Sequence, residues 1–417
     1  MSDQAFQALK ELPNPLKQPQ CVLHKYELII CGGWNKRACY SYHTIKNKYK
    51  FICEYPRRVK LWGHCVVKLV DNNNNNNKES NQLTLLSFGS DWKGKGKHTL
   101  VMKYVSVWSN ISNKLNELNN CNQWVPFTDN NNQRIIIGRN EDDYQGVRAV
   151  IGGSNNNLLF ITYLDNNISV FDLNTFQFIK HDTLPTNNFI QFHCFVSNSE
   201  NRQGQEMTKA NEEKNKLNYK MILFYRRKGL SIEYNEENSI FQFDKLTACD
   251  DIAPFYHYAY VRVNDFILFF GGWISGDVSK SVYKYSIQEN KWMTFQDTLP
   301  TPLYNCAAIL SEDDGHIHVI GGNNDKYITL STHIKTKVRV WDYSQLSKNE
   351  IKCIIQYWIR TSEIKLGWIY DFEKIIFNYN GLKIETFQNN FINVNFFFTF
   401  VAILIKDKMY ISSKKHD

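Results

Sequence analysis

Short apolar runs recur along the chain, and several of them end at a pair of glycines. Residues 26–31 lead into Gly32-Gly33, residues 265–270 lead into Gly271-Gly272, and residues 315–320 lead into Gly321-Gly322. Runs of this length, rich in Ile, Val and Phe and bounded by Gly, predict buried β-strands rather than helices. The paired glycines predict a sharp exit or a close backbone approach that a Cβ atom would obstruct. We therefore expect a repeated sheet with this strand at its centre.

Aromatic residues follow these runs at a fixed spacing. In the first unit Tyr42 is followed by Asn47 and Tyr49, and a later unit repeats the order with aromatic, Asn and aromatic residues. The same step of seven between two aromatic residues occurs four times, at Tyr42/Tyr49, Phe171/Phe178, Tyr234/Phe241 and Tyr285/Trp292. This pattern predicts a third strand, a turn at Asn and an outer strand in each unit.

A Leu-Pro turn and a short strand of small residues precede several units. The turns occur at residues 12–15, 184–185 and 299–302, where Pro ends one set of strands because it cannot donate to a ladder. The short strands that follow begin near a cysteine, and we expect the four cysteines to occupy one repeat position on inner strands: Cys21, Cys65, Cys194 and Cys306. Each predicted sheet has four strands and buries its faces only against its neighbours, so the units should close into a ring.

The diglycine, the paired tyrosines and the aromatic residue seven positions on resemble the kelch repeat, and the chain is similar to the galactose-oxidase-like propeller superfamily. This resemblance implies an all-β fold, a six-bladed kelch-type β-propeller over residues 1–343. The blades are expected near 12–56, 57–128, 139–185, 186–252, 253–300 and 301–343. No fourth strand is available after the last unit, so residues 4–10, which stand in the same relation to Leu12-Pro13 as an outer strand, are expected to complete the sixth blade.

The period changes beyond residue 343. The spacing of apolar residues after Ser347 and Glu350 predicts a short C-terminal helical segment, a hairpin over residues 344–380. The apolar and basic tail, residues 381–417, is left unassigned. Its run from 391 to 405 is shorter than the approximately 20 residues of a spanning helix and contains two Asn residues, so we expect a packed segment there, with membrane contact as the alternative.

The net charge and the cysteine pattern indicate the chemical class of the partner and the cellular compartment. The net charge of +8 is mildly basic, which suits an acidic partner but falls below the density of a dedicated nucleic-acid domain, so no nucleic acid is expected. The 10 cysteines form no CxxC pair, and the first residues lack a charged start followed by an apolar core. We therefore expect free thiols and a cytoplasmic protein.

The sequence contains no recognisable catalytic constellation. The adjacent pairs His64-Cys65 and His193-Cys194 cannot chelate one metal ion, because neighbours on a strand point to opposite faces. The segment from Lys93 to Lys97 is basic and rich in glycine, but it lacks the phosphate-loop spacing. We expect no enzyme activity, no cofactor and no metal site. The alternative is a propeller enzyme acting on carbohydrate, of the oxidase or epimerase kind.

The kelch resemblance implies a protein-interaction scaffold or adaptor. Trp34, Trp92 and Trp273 each follow a second strand and should project from one end of the ring, although each could instead fold back against its blade. Trp and Arg are enriched where interfaces concentrate their binding energy, and basic side chains favour an acidic or phosphorylated partner. The expected partner-binding residues are Trp34, Lys36, Arg37, Trp92, Lys93, Lys95, Arg226, Arg227 and Trp273.

Overall fold

The computed structural model describes residues 5–69, 82–109, 120–186, 189–198, 218–226, 228–247 and 255–342. The predicted helical hairpin, the tail at 381–417 with its candidate membrane contact, and Arg227 lie outside these ranges. No helix in the described ranges has the length and apolar character that crossing a membrane requires.

The regular secondary structure of the described chain consists almost entirely of β-strands. In chain order they are β1 (Gln7–Ala8), β2 (Gln20–His24), β3 (Glu27–Gly33), β4 (Lys36–His43), β5 (Lys48–Glu54), β6 (Cys65–Leu69), β7 (Gln82–Gly89), β8 (His98–Val105), β9 (Val125–Pro126), β10 (Arg148–Gly152), β11 (Leu158–Tyr163), β12 (Asn167–Asp172), β13 (Gln177–Thr183), β14 (Cys194–Ser197), β15 (Asn218–Tyr225), β16 (Lys228–Asn235), β17 (Ile240–Leu246), β18 (Ala259–Val263), β19 (Phe266–Phe270), β20 (Trp273–Ile274), β21 (Asp277–Val278), β22 (Val282–Ser286), β23 (Lys291–Thr294), β24 (Ala307–Ser311), β25 (His316–Ile320) and β26 (His333–Lys337). A 3₁₀ turn spans Trp92–Gly94, and a short helix, α1, spans Val338–Trp341.

These strands form six four-stranded antiparallel sheets, the blades of a six-bladed β-propeller. Blades 1 to 4 are β2–β5, β6–β9, β10–β13 and β14–β17. Blade 5 is β18, β19, β22 and β23, and the small hairpin β20–β21 lies between its second and third strands. The second strand is the most deeply buried; every residue of β3, β11 and β19 is buried. The apolar core lies between neighbouring sheets, as the sequence pattern predicted.

The sixth blade takes its outer strand from the N-terminus. Its order is β24, β25, β26 and β1, with Gln7 opposite Lys335 and Ala8 opposite Ile334. The predicted closure by residues 4–10 is therefore confirmed. Phe6 anchors this strand because its ring is only 3% exposed and lies 5.6 Å from the ring of Trp341 in α1.

The aromatic step of seven is a contact between the third and outer strands of a blade. The two rings of each pair lie 4.8–5.1 Å apart in blades 1, 3, 4 and 5. In blades 1 and 5 the tyrosine hydroxyl also donates to the turn asparagine, over 2.9 Å from Tyr42 to Asn47 and 2.9 Å from Tyr285 to Asn290. Both asparagines have a positive φ, a conformation that Asn tolerates better than most residues. The pattern therefore marks a turn whose geometry is held by the side chains around it.

The diglycines allow the connection between two blades to pack on the end of a second strand. The amide of Gly322 donates to the carbonyl of Leu16 over 2.8 Å, and the amide of Gly272 donates to that of Leu303 over 2.9 Å. A Cβ on Gly321 would stand 2.5 Å from the oxygen of Leu16, and φ at Gly321 is +67°. Glycine is required there for both reasons.

The structure contradicts the expectation that Cys21, Cys65, Cys194 and Cys306 occupy one repeat position. Each inner strand is preceded, two residues before its first residue, by an entry residue with a positive φ, and these six are Gln18, Gly63, Gly146, Phe192, His257 and Asn305. Counted from the entry residue, Cys65 and Cys194 share a position, whereas Cys21 is one residue later and Cys306 one residue earlier. The four cysteines therefore do not occupy one repeat position, because sequence spacing alone could not locate the entry turn. None of the eight described cysteines is in a disulfide.

Candidate functional site

One end of the propeller carries the segments that follow the second strands, and we call it the diglycine face. In the antiparallel register, inner strands begin where second strands end, as the pairs Gln20 with Cys31 and Cys65 with Phe88 show. The connections from one blade to the next therefore emerge at this same end. Loops of two kinds thus share the face.

Three tryptophans form a continuous row on this face across blades 1 and 2. The ring of Trp62 lies 5.2 Å from that of Trp34, edge to face, and 6.0 Å from that of Trp92, nearly parallel. We call these three residues the aromatic row. Trp92 is 59% exposed, and Trp34 and Trp62 are half-buried. The row therefore presents the aromatic surface of Trp92 to solvent, and Trp62, its middle member, packs against that ring.

Lysine side chains lie over the two ends of the aromatic row. The Nζ of Lys17 is 3.5 Å from the centre of the Trp34 ring, and that of Lys93 is 5.1 Å from the centre of the Trp92 ring. Partial burial lowers the pKa of Lys17 from its ordinary value. Such cation–π contacts hold a positive charge beside an apolar platform. An anionic group bound above the row would therefore contact both a lysine ammonium group and an aromatic ring.

Local backbone geometry positions the two outer tryptophans. The amide of Trp34 donates to the carbonyl of Lys17 over 2.8 Å, so this residue is fixed against the connection that enters blade 1. Trp92 instead opens the 3₁₀ turn in the longer loop between β7 and β8. The longer loop is why Trp92 stands further out.

Trp273 belongs to a different cluster. Its ring lies 5.1 Å from that of Tyr256 and 6.4 Å from that of Tyr304, and Tyr304 in turn contacts the exposed Tyr327. The guanidinium of Arg226 lies 4.6 Å from the centre of the Tyr256 ring. We call these the tyrosine cluster, formed by Arg226, Tyr256, Trp273, Tyr304 and Tyr327. It occupies the same face at blades 4 to 6, so the sequence-predicted residues divide between two places.

The predicted cations differ in their availability. Lys36, Lys93 and Lys95 are exposed. Arg37 is engaged, because its guanidinium forms a 2.9 Å ion pair with Glu54 and donates to the carbonyl of Tyr55 over 3.1 Å. Arg37 therefore acts mainly within blade 1, between its third and outer strands.

The sequence pattern did not identify the residues of the blade-to-blade connections that pack against the predicted site residues. Lys17 and Trp62 precede inner strands, and so do Tyr256 and Tyr304 in the tyrosine cluster. One signal was available, since an aromatic residue stands immediately before the entry residue at Trp62, Tyr256 and Tyr304. The sequence could show that repetition but not that these rings meet those of the following loops.

Within the described part of the chain, no group of three or more His, Cys, Asp or Glu side chains is placed to hold a metal ion. Burial opposes the ionisation of both residues of the His64-Cys65 pair: it raises the pKa of Cys65 to about 11 and lowers that of His64 to about 3.

Comparisons with known proteins establish the fold. No family model matches the chain, and no curated protein matches its sequence. A solved structure titled "Structure of YjhT" is similar, with a TM-score of 0.50, 12% sequence identity and coverage of 78% of this chain and 96% of the other. The chain is thus a six-bladed β-propeller structurally similar to YjhT, a kelch-repeat propeller protein.

Proposed function

We propose that this protein is a kelch-type, noncatalytic interaction scaffold of the cytoplasm that binds an acidic or phosphorylated protein through its diglycine face. The single observation that carries the proposal is the aromatic row, in which an exposed tryptophan rests on a second tryptophan. Soluble proteins rarely expose a large aromatic surface without a use for it, and Trp dominates binding energy at interfaces. The recurring diglycine and aromatic pattern supports the kelch-type assignment and a place in the galactose-oxidase-like superfamily.

The charges beside the row support the acidic character of the partner. Lys93 and Lys95 are exposed next to Trp92, and Lys17 lies over Trp34. Lysines at such a rim accelerate association with an anionic partner and give binding that weakens with salt. A phosphate group on the partner would add charge-assisted hydrogen bonds to the same lysines.

The test is quantitative affinity purification with the full-length protein and two variants. Trp92→Ala removes the exposed end of the row, and Phe51→Ala removes a comparably exposed aromatic residue, 56% exposed, from the outer strand of blade 1. We expect the proteins enriched by the wild type to remain with Phe51→Ala and to be lost with Trp92→Ala. Equal enrichment by both variants would exclude the row as the partner site.

A charge-reversal variant tests the chemistry of the partner. Lys93→Glu combined with Lys95→Glu should lower the capture of the partner that the tryptophan test identifies and remove much of its salt dependence. Treating the cell extract with phosphatase beforehand separates a phosphorylated partner from an acidic one. Capture unchanged by charge reversal would contradict the acidic or phosphorylated class.

A further inference from the structure

The inner strands around the axis carry basic residues and no acidic ones. Among the six described inner strands, β2, β6, β10, β14, β18 and β24, the charged residues are Lys68, Arg148 and Arg262, and none is Asp or Glu. A narrow passage lined by one sign of charge concentrates the electric field and attracts ions of the opposite sign. The axial region of this propeller therefore favours an anion.

A cavity of about 160 Å³ lies among the beginnings of these strands. Its wall includes four entry residues, Gln18, Phe192, His257 and Asn305, and Arg148 at the start of β10 is its charged group. No carboxylate belongs to the lining. The cavity therefore opens at the diglycine face on the axis, and it is formed by residues other than those of the aromatic row.

The Arg148 guanidinium has no acidic partner among the described residues. Its Nη1 donates to the carbonyl of Val147 over 2.8 Å, and its Cζ lies 5.8 Å from the centre of the Phe192 ring. It forms no ion pair with any described carboxylate. Arginine presents five N–H donors, so most of the fork remains for a ligand.

The charge of Arg148 affects ionisable groups on other blades around the axis. Its charge adds to burial in lowering the pKa of His64, His193 and His257, which belong to three other blades. A charge near the axis is expected to act on several blades in this way. It is an unpaired positive charge at the centre of the ring.

Two further polar atoms near the cavity have no partner among the described residues. The Oε1 of Gln18 and the Nδ1 of His257 are both buried and without a hydrogen bond. Buried polar atoms of this kind call for a partner such as a ligand or ordered water. Gln18 Oε1 can accept an O–H, and a guanidinium fork can bind the two oxygens of a carboxylate.

We propose that the axial cavity is a binding site for a small hydroxycarboxylate of the size of lactate. Arg148 pairs with the carboxylate, and Gln18 accepts the hydroxyl group. The volume sets the size, because a cavity of about 150 Å³ accommodates benzene, which has six heavy atoms, as lactate does. Drug-sized ligands need sites of about 300–1,000 Å³, which exceeds this one.

The experiment titrates the full-length protein with L-lactate by calorimetry or ligand-observed NMR. We expect saturable binding that Arg148→Gln weakens by at least about tenfold, since it removes a charge-assisted pair. Arg262→Gln is the matched control, because Arg262 is on an inner strand but outside the cavity lining, and it should leave the affinity unchanged. Absence of saturable lactate binding, or equal binding by Arg148→Gln, would overturn the proposal.

Two further arms fix the chemistry and the source of the ligand. Propionate lacks the hydroxyl of lactate and should bind more weakly; equal affinity would overturn the role given to Gln18. A blocked peptide with one Glu side chain tests whether the carboxylate belongs to a protein, and Arg148-dependent binding of the peptide in place of lactate would overturn the small-molecule assignment.

Further variants test whether the Arg148 substitutions fold and whether lactate binding is independent of the aromatic row. Arg148→Lys keeps the charge without the planar fork, so it should bind lactate with intermediate affinity and melt close to the wild type. If Arg148→Gln unfolds, the Arg148→Lys result decides the proposal, with wild-type affinity counting against it. Trp92→Ala should leave lactate binding unchanged, so failure of this site is distinguishable from failure of the proposed protein-binding face.

Discussion

The backbone N–H of Gln18 donates a 2.7 Å hydrogen bond to the carbonyl oxygen of Asn305. These are the entry residues of blades 1 and 6, so the bond joins the two ends of the ring at its centre, while β1 joins them at its rim. The bond repeats between blades 6 and 5, from Asn305 to His257 over 2.8 Å, and between blades 4 and 3, from Phe192 to Gly146 over 2.9 Å. The three donors, Gln18, Phe192 and Asn305, all have a positive φ.

The N-terminal strand should contribute to stability through Phe6 rather than through its exposed residues. Phe6→Ala removes a ring buried against Phe270 and Trp341, and a core Phe→Ala change costs about 3–5 kcal/mol of the free energy of unfolding. Gln7→Ala, one residue later and exposed, should change it by less than about 0.5 kcal/mol. Urea unfolding of both variants measures the difference, and a loss below about 1 kcal/mol for Phe6→Ala would show that closure does not depend on this anchor.

Comparing Trp92 with Trp341 tests whether Trp92 is a surface residue or part of the packed core. Trp341 is 1% exposed, contacts Phe6 and Phe295, and donates from Nε1 to Thr336 over 2.9 Å. Trp341→Ala should therefore cost about 3–5 kcal/mol of the free energy of unfolding, whereas Trp92→Ala should cost less than about 1 kcal/mol. Thermal melting of the two variants provides the comparison. A fall in Tm for Trp92→Ala as large as that for Trp341→Ala would mean that the aromatic row is packing.

Two glycines of blade 6 isolate the steric role of the diglycine. Gly315→Ala and Gly321→Ala both place a side chain at a similar positive φ, +63° and +67°. A Cβ on Gly321 would lie 2.5 Å from the Leu16 oxygen, whereas a Cβ on Gly315 would have no atom within 4 Å. Gly315→Ala should cost about 1–2 kcal/mol for the backbone conformation, and Gly321→Ala about 1–3 kcal/mol more. Equal destabilisation of the two variants in urea would refute the argument that the connection packs on the diglycine.

The buried histidines predict a loss of stability in mild acid. Burial lowers the pKa of His98 and His257 to about 3 and that of His318 to about 4, against about 6.5 in an unfolded chain. Below about pH 6.5 the unfolded state therefore binds more protons, so the free energy of unfolding falls as the pH falls, until the native histidines titrate near pH 3–4.

His318→Gln tests this directly. His318 donates to or accepts from His333 over 2.9 Å, and glutamine keeps hydrogen-bonding capacity without titrating. Unfolding in urea between about pH 7 and 5 should give a slope shallower by up to about 1.4 kcal/mol per pH unit in the variant. Slopes that coincide would show that His318 does not take up a proton on unfolding in this range.

The sequence by itself determined the blade plan. Second strands and aromatic turns could be predicted because each depends on contacts within a blade, where spacing along the chain fixes which residues meet. The Tyr42–Asn47 bond is of this kind. The pairing of Gln7 with Lys335 could be predicted because the last blade lacked an outer strand and residues 4–10 stand before a Leu-Pro turn as an outer strand does. The entry residues were missed, and with them the offset of Cys21 and Cys306, because the six entry residues are of five different types and no single residue type marks the turn.

Only the tertiary structure decided which side chains share the diglycine face. Trp34 and Trp92 meet through Trp62, whereas Trp273 packs on Tyr256 and Tyr304. Arg37 turns toward Glu54, and Arg148 faces the axial cavity without a carboxylate partner. These relationships join residues of different blades, or a loop with a connection, and they depend on how the sheets pack around the axis. Residue spacing within one repeat contains no information about that packing.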